Sequence, residues 1–503
     1  MDTRAAATAD SPGTDRGFLD RWFEISRRGS TVGREIRGGL VTFFAMAYII
    51  ALNPLIIGTS PDKNGNLISG QPYLDAAGAP IEANLNASIA MVAAATALIA
   101  GVMTFLMGAW ARYPLALAAG LGLNALVAYV IAPTMTWPQA MGMILLEGIV
   151  VLILVLTGFR AAVFRAVPRH LRAAISVGIG LFITFVGLVD GGIVRPAQGT
   201  PVQLGVSGSL VGWPVAIFVI GFILGGVLYL RKVRGALLIS VIASTVLAVI
   251  VEAVGHLGAG TDENPTGWVG NVPSTNRLVD VPNLSLLGRT DPFGAFGGVG
   301  VAGAIGLIML IFSLLLADFF DTMGTVVAVG QEGDLLDEEG NPPHLREILL
   351  VDSLAAIAGG AGSTSSNTSY VESVSGVAEG ARTGLASVVT GVAFLLAVFL
   401  APLVNAVPAE AVSPVLVIVG VLMMGSVTQV DWSRVDQALP AFLTIALMPF
   451  AYSITVGIGA GFVMYVVMQI AIGKARKVHP LMWVVAAMFV VYFAQGAING
   501  LLS

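Results

Sequence analysis

The chain has 503 residues, of which 56% are hydrophobic and 11% charged, with a mean hydropathy of +0.88. Soluble domains carry about 25% charged residues, so a water-soluble globule of this length is excluded. The long unbroken apolar runs exclude a β-barrel, whose strands alternate, and the net charge of −5 says little because the charges sit in loops.

There is no cysteine, which removes disulfides, thiolate nucleophiles and cysteine-ligated metals. His170, His256, His344 and His479 fall at segment ends or in loops, and no H-E-x-x-H pattern occurs. The first thirty residues are polar and Arg-rich with no apolar core, unlike a cleavable signal peptide. These features describe an all-α polytopic membrane protein, not an enzyme, with no cofactor, metal or nucleic acid implied.

Apolar runs of about 20 residues suit a hydrocarbon core of about 30 Å. In chain order, spans are predicted near 37–58, 87–110, 114–133, 141–159, 171–189, 212–230 and 235–254. A second seven lie near 300–329, 346–362, 366–380, 384–406, 409–427, 435–452 and 453–473. An extra C-terminal hydrophobic segment, 479–501, follows, with its path left open. The long polar connections are 59–86, 190–211, 255–299 and 331–345.

Short-loop positive charge sets orientation. Arg27, Arg28, Arg34 and Arg37 precede span 1, and Arg160, Arg165, Arg169 and Arg172 follow span 4. Arg231, Lys232 and Arg234 follow span 6, Arg382 follows span 10, and Lys474, Arg476 and Lys477 follow span 14. A cytoplasmic N-terminus puts all of them inside, which supports fourteen core spans. The loop 331–345, with Glu332, Asp334, Asp337, Glu338 and Glu339, reads as solvated.

The two sevens look related. Val167-Pro168 opens span 5 and Val407-Pro408 opens span 12, with Gly180 and Gly420 at one offset inside each. An odd repeat enters the membrane from opposite sides, giving an inverted-repeat transporter.

Span 8 carries Asp318 and Asp321 in an otherwise uncharged run from Gly300 to Gly330. A carboxylate at mid-membrane costs roughly 2.5–3.5 kcal/mol on insertion scales, and three positions apart the two share one helical face. Such groups mark a substrate or proton site. The stretch Pro114 to Asn124 of span 3, with Pro114, Gly120 and Gly122, and the stretch Gly362 to Glu372 of span 10, rich in Ser and Thr, read as interrupted helices at matching positions. That pattern points to a binding site, where broken-helix N-termini offer free N–H groups. Helix packing alone is the rival reading of these small residues.

Several signals carry no function. Gly120-x-Gly122 lies in a span with no βαβ unit, so it is no dinucleotide fingerprint. Asp62 to Asn66 fails as a calcium loop because Leu67 and Tyr73 replace the turn glycine and the closing Glu. The glycosylation-like triplets at Asn86 and Asn367 are read as chance. Glu147 in span 4 and Asp352 in span 9 read as structural partners, with a proton path as the second reading.

Four stretches together resemble one family: Arg34 to Ile50, Gly120 to Ala125, Ala317 to Thr325, and Gly362 to Glu372 continuing to Gly380. The chain is similar to the azaguanine-type (AzgA-like) purine permeases of the nucleobase–ascorbate transporter family, also called nucleobase–cation symporter family 2. The resemblance runs from Arg34 to about Asn499.

The resemblance implies fourteen spans in two inverted sevens, with short extended strands breaking spans 3 and 10. It implies a tail at 1–33, core parts at 34–160 and 300–407, and gate parts at 161–257 and 408–477. An extracytoplasmic loop at 258–299 and a C-terminal segment at 478–503 complete the division. The implied function is proton-coupled uptake of hypoxanthine, adenine or guanine across the cytoplasmic (inner) membrane by alternating access, by a chain that forms a possible homodimer. Matched by position, Asn124, Asp318 and Glu372 contact the base, and Asp321 serves translocation or proton coupling.

Leu123 and Leu126 depart from the bulkier residues of many relatives. The edge chemistry of a purine agrees with this set, since carboxylates accept adjacent N–H bonds and an amide both donates and accepts. Tyr370, two positions before Glu372, is expected to touch the base, and Phe319 or Phe320 to stack on it. Asp318 and Asp321 are expected to exchange a proton near physiological pH, and a proton on Asp321 or Glu372 to favour the loaded carrier. The alternatives are a xanthine/urate or pyrimidine permease, or an anion transporter of the same seven-plus-seven fold.

Overall fold

A computed structural model describes residues 17–157, 166–197, 199–261, 263–274, 280–337 and 341–502, and side chains within these except at 302, 320 and 495–502. Arg160, Arg165, Glu338, Glu339 and the Phe320 side chain therefore lie outside the described residues.

After a short helix α1 (Phe18–Phe23), the first span is α2 (Val32–Met46) and α3 (Ile49–Ile57), joined at Ala47-Tyr48. Then come α4 (Glu82–Leu106), strand β1 (Leu117–Ala119), α5 (Leu121–Leu126) and α6 (Trp137–Leu156). Spans 5 to 7 are α7 (Arg169–Asp190), α8 (Trp213–Leu230) and α9 (Ala236–Gly255), with a hairpin β2 (Val194–Ala197) and β3 (Thr200–Leu204) after α7.

The second half repeats this plan with α10 (Val301–Glu332), α11 (Leu345–Ala361), strand β4 (Asn367–Ser369), α12 (Ser373–Ala378) and α13 (Gly384–Ala397). Helices α14 (Ala409–Met423), α15 (Val435–Phe450) and α16 (Ile454–Ala471) complete it. Among the described residues, ten helical segments are long and apolar enough to cross a membrane. The interrupted elements around β1 and β4, the 17-residue α11 and the shorter α15 fall outside that set.

The packing is two-fold in pattern. Span 4 lies along span 9, and their counterparts 11 and 2 lie along each other. Spans 6 and 7 pair as 13 and 14 do, and span 5 packs on 13 as span 12 packs on 6. Spans 5 and 12 cross each other at the two matched glycines: a Cβ on Gly180 would sit 2.7 Å from the Met423 Cβ and 3.0 Å from the Gly420 carbonyl oxygen. A Cβ on Gly420 would sit 2.5 Å from the Gly180 carbonyl oxygen. The repeated glycine is thus the backbone crossing of the two repeats, as small residues permit between membrane helices.

The outward faces of α8 and α9 are apolar and exposed, for example Ile223, Leu230, Ile242 and Val254, as a lipid-facing surface requires. The C-terminal segment is a helix, α17 (Pro480–Leu502), packed on α16 and α10 with Phe489 wholly buried.

The basic loops meet on one face. Arg28 donates to the carbonyls of Arg112 and Arg382, and Glu379 pairs with Arg37 and Arg234. Glu35, buried in the first motif, accepts from the amides of Arg382 (2.8 Å) and Thr383 (3.2 Å) and so caps the start of α13. In the adjoining loop, burial and the neighbouring Arg112 and Arg28 charges hold the His344 imidazole below its usual range. At the other end, Asp62 accepts from the amides of Asn64 and Asn66, which makes that segment a side-chain-stapled turn.

Candidate functional site

The two interrupted segments meet. β1 and β4 pair antiparallel, with Leu117 opposite Ser369, Ala118 opposite Thr368 and Ala119 opposite Asn367. The pairing gives the unwound backbone the hydrogen bonds that lipid would deny it. Ser363 and Ser365, just before β4, sit at positive φ of 57° and 70°. Left-handed backbone in side-chain-bearing residues is uncommon and concentrates at functional sites.

A cavity of about 320 Å³ lies at the ends of the strands, within the size range of small-molecule sites. One wall is Gly120 to Leu123, Ala317, Asp321, Thr325 and Thr368 to Glu372; the other is Ile175, Ser176 and Ile179 of α7 with Val419, Leu422 and Met423 of α14 and Ser426 just beyond it. The second wall was not singled out in the sequence. Its residues are small or apolar and resemble any packed helix face, so only the Gly180–Gly420 offset hinted that these spans meet.

Of the five sequence-designated residues, Asp321, Tyr370 and Glu372 line this cavity. Strand β4 ends at Ser369, and Glu372 stands at the N-cap of α12, so the two reach the cavity from a turn and not from one extended strand. The Tyr370 hydroxyl donates to the Ala119 carbonyl oxygen at 2.5 Å, leaving its ring as the surface a ligand would meet. Glu372 accepts a hydrogen bond of 2.5 Å from Tyr48, which sits at the junction in span 1. Tyr48 lies in the stretch Arg34 to Ile50 that carries the family resemblance, but no role was read for it there.

Asn124 and Asp318 lie outside the cavity lining. Both are wholly buried. The Asn124 amide donates to Asn53 (3.1 Å), which in turn donates to Thr96 and to the Thr364 carbonyl, while the Asn124 carbonyl oxygen has no partner. Neither Asp318 oxygen makes a hydrogen bond of normal geometry, and the Thr368 hydroxyl of β4 is the side-chain donor acting on it. Phe319 is buried and absent from the lining. Among the described residues no cluster of metal-ligating side chains occurs.

The sequence pattern of the Permease family matches residues 78–463. The guanine/hypoxanthine permease PbuG of Bacillus subtilis is 36% identical over 477 residues, covering 94% of this chain and 99% of that protein. The adenine permease AdeP of Escherichia coli is 34% identical, covering 94% and 96%. Among solved structures, the transmembrane domain of the cyanobacterial bicarbonate transporter BicA superposes with a TM-score of 0.53 at 15% identity, covering 87% of this chain and 96% of that one. The murine anion transporter Slc26a9 in its inward-facing state gives 0.56 at 10% identity, covering 94% and 74%. These two share the fold, a helical membrane architecture of paired repeats. With relatives this similar along almost its entire length, the chain belongs to the Permease family, among the purine permeases of the nucleobase–cation symporter 2 type.

Proposed function

We propose that this chain takes up purine nucleobases (hypoxanthine, adenine or guanine) across the cytoplasmic membrane, coupled to protons, by alternating access. The observation that carries this reading is the cavity at the β1–β4 junction, where Glu372 and Asp321 face an enclosure of about 320 Å³ bounded by two sets of helices. A carboxylate accepts two adjacent N–H bonds from a flat heterocycle, and the Tyr370 ring offers a face for stacking. The names of the permease relatives favour purines.

In this reading Glu372, Asp321 and Tyr370 touch the base. Asn124 and Asp318 act from one layer behind it, through Asn53 and the β4 hydroxyls. Spans 1–4 and 8–11 form a core that moves against a gate of spans 5–7 and 12–14. The convergence of basic loops on one face supports a cytoplasmic N-terminus. A homodimer would use the lipid-facing side of the gate and would appear as a doubled mass in native mass spectrometry.

An anion carrier of the same fold is disfavoured because two carboxylates face the cavity. The decisive experiment is uptake of radiolabelled hypoxanthine, competed by a panel of nucleobases, with and without a protonophore. Accumulation blocked by purines and abolished by the protonophore is expected; competition by xanthine or uracil alone, or uptake of bicarbonate instead, would overturn the reading.

A further inference from the structure

Outside the cavity lining, three carboxyl groups from three helices converge on β4. Glu147 of α6 accepts from the Ser366 hydroxyl at 3.1 Å. Asp352 of α11 accepts from Thr322 at 2.9 Å and from Ser369 at 3.0 Å, and Thr322 lies 2.9 Å from the Thr368 hydroxyl. Asp318 of α10 completes the group; the charges acting on it are Asp352, Glu147 and Asp321, all acids. All three carboxyl groups are buried to within 1%. Of the elements packed on α6, α11 presents Asp352, α10 presents Asp318, and the turn Gly294–Phe296 presents no titratable side chain. Asp321 and Glu372, on the cavity side, are the next acids.

A purely structural polar cluster would have its atoms satisfied. Here the Oε1 of Glu147 is wholly buried and unpartnered, and the Thr368 hydroxyl is the one side-chain donor acting on Asp318. The Asp352 and Glu147 charges act on Asp318 with like sign, and like charges removed from bulk water repel more strongly than in it, so a proton on one of the three relieves the group. A shared proton supplies both the missing donor and the missing positive charge.

The cluster is also fixed in place. A Cβ on Gly148 would sit 2.6 Å from the Ile357 amide nitrogen, and one on Gly360 2.6 Å from that of Leu145, so α6 and α11 touch backbone to backbone beside Glu147. Thr368 and Ser369 belong both to this cluster and to the cavity wall.

We propose that Glu147, together with Asp352 and Asp318, holds the coupling proton one layer behind the base, and that the hydroxyls of Ser366, Thr368 and Ser369 link its occupancy to substrate. The inference rests on the proton-coupled reading above and gives the proton an address other than Asp321 or Glu372. A proton arriving from one side bonds to a carboxyl oxygen of the cluster. It leaves to water on the other side after the base is released, and the cluster regains its negative charge.

The test uses the full chain in proteoliposomes, comparing wild type, Glu147→Gln, Glu147→Asp and Ser366→Ala. Two readouts are needed: hypoxanthine counterflow without a pH gradient, and accumulation driven by a pH gradient from pH 5.5 to 8. Glu147→Gln is expected to retain counterflow but to lose about tenfold or more of the gradient-driven accumulation and its pH dependence, with Glu147→Asp restoring part of both. If Glu147→Gln fails to fold, Ser366→Ala carries the test, because it removes the donor to Glu147 and is expected to displace the pH profile. Gradient-driven accumulation that keeps the wild-type pH profile in both variants overturns this proposal alone. A wild-type chain that accumulates no nucleobase overturns the proposed function and this inference with it.

Discussion

Tyr48 reaches Glu372 from span 1 and gives that carboxylate a short donor at the edge of the cavity. A hydrogen bond to a charged group is worth about 1.5–3 kcal/mol, so a Tyr48→Phe variant is expected to raise the KM for hypoxanthine about tenfold with a smaller effect on the maximal rate. An unchanged KM would show that Tyr48 is packing only. Glu372→Gln removes the acceptor pair itself and is expected to weaken hypoxanthine binding by about tenfold to a hundredfold, measured by competition. Unaltered affinity would remove Glu372 from the site. Glu372 and Asp321 were legible in the sequence because ionisable residues inside membrane spans are rare and conspicuous. Tyr48 was not, since a tyrosine at a helix junction is ordinary, and its partner lies 324 positions away along the chain.

Helix crossings depend on what is missing from the backbone as much as on what is present. At the α7–α14 crossing a branched side chain on Gly420 would meet the Gly180 carbonyl and the Thr184 hydroxyl. Gly420→Val is expected to destabilise the protein by about 1–3 kcal/mol through overpacking, read as a lower Tm in detergent. Gly226→Ala, on a face of α8 with nothing within 4 Å of the added carbon, is expected to stay within about 0.5 kcal/mol of wild type. Equal Tm values for the two would refute the crossing.

At this scale the long membrane helices were readable from apolar run length, and the paired breaks from turn-forming composition. The β1–β4 pairing was not, because three-residue strands such as Leu117–Ala119 carry no periodicity and their partners belong to different halves. For the same reason Asn124 and Asp318 looked like cavity residues: a sequence shows that a polar group is in the membrane, but which layer it occupies depends on tertiary packing.

In the whole molecule, the proposed sliding of core against gate would be felt where Gly122 of α5 faces Ile179 of α7. A Cβ on Gly122 would lie 2.6 Å from the Ile179 Cγ2. The chain has no native cysteine, so a Gly122→Cys, Ile179→Cys pair can be oxidised without side reactions. The disulfide is expected to abolish hypoxanthine uptake, and reduction to restore it; full transport by the crosslinked protein would refute relative motion at this contact. On the opposite end from the basic face, the Tyr129 hydroxyl donates to Asp190 at 3.0 Å, and the Tyr129 ring packs near Tyr452, tying span 3 to span 5 and to the turn between spans 13 and 14. The β1–β4 pair has a further consequence for biogenesis. The two strands are separated by roughly 250 residues, which at about 5–20 residues per second delays the second strand by tens of seconds after the first leaves the ribosome. Through that interval the first half must keep an unpaired stretch of backbone out of the lipid, so the nascent chain depends on the insertion machinery, or on its own folded neighbours, to shelter it until its mate is made.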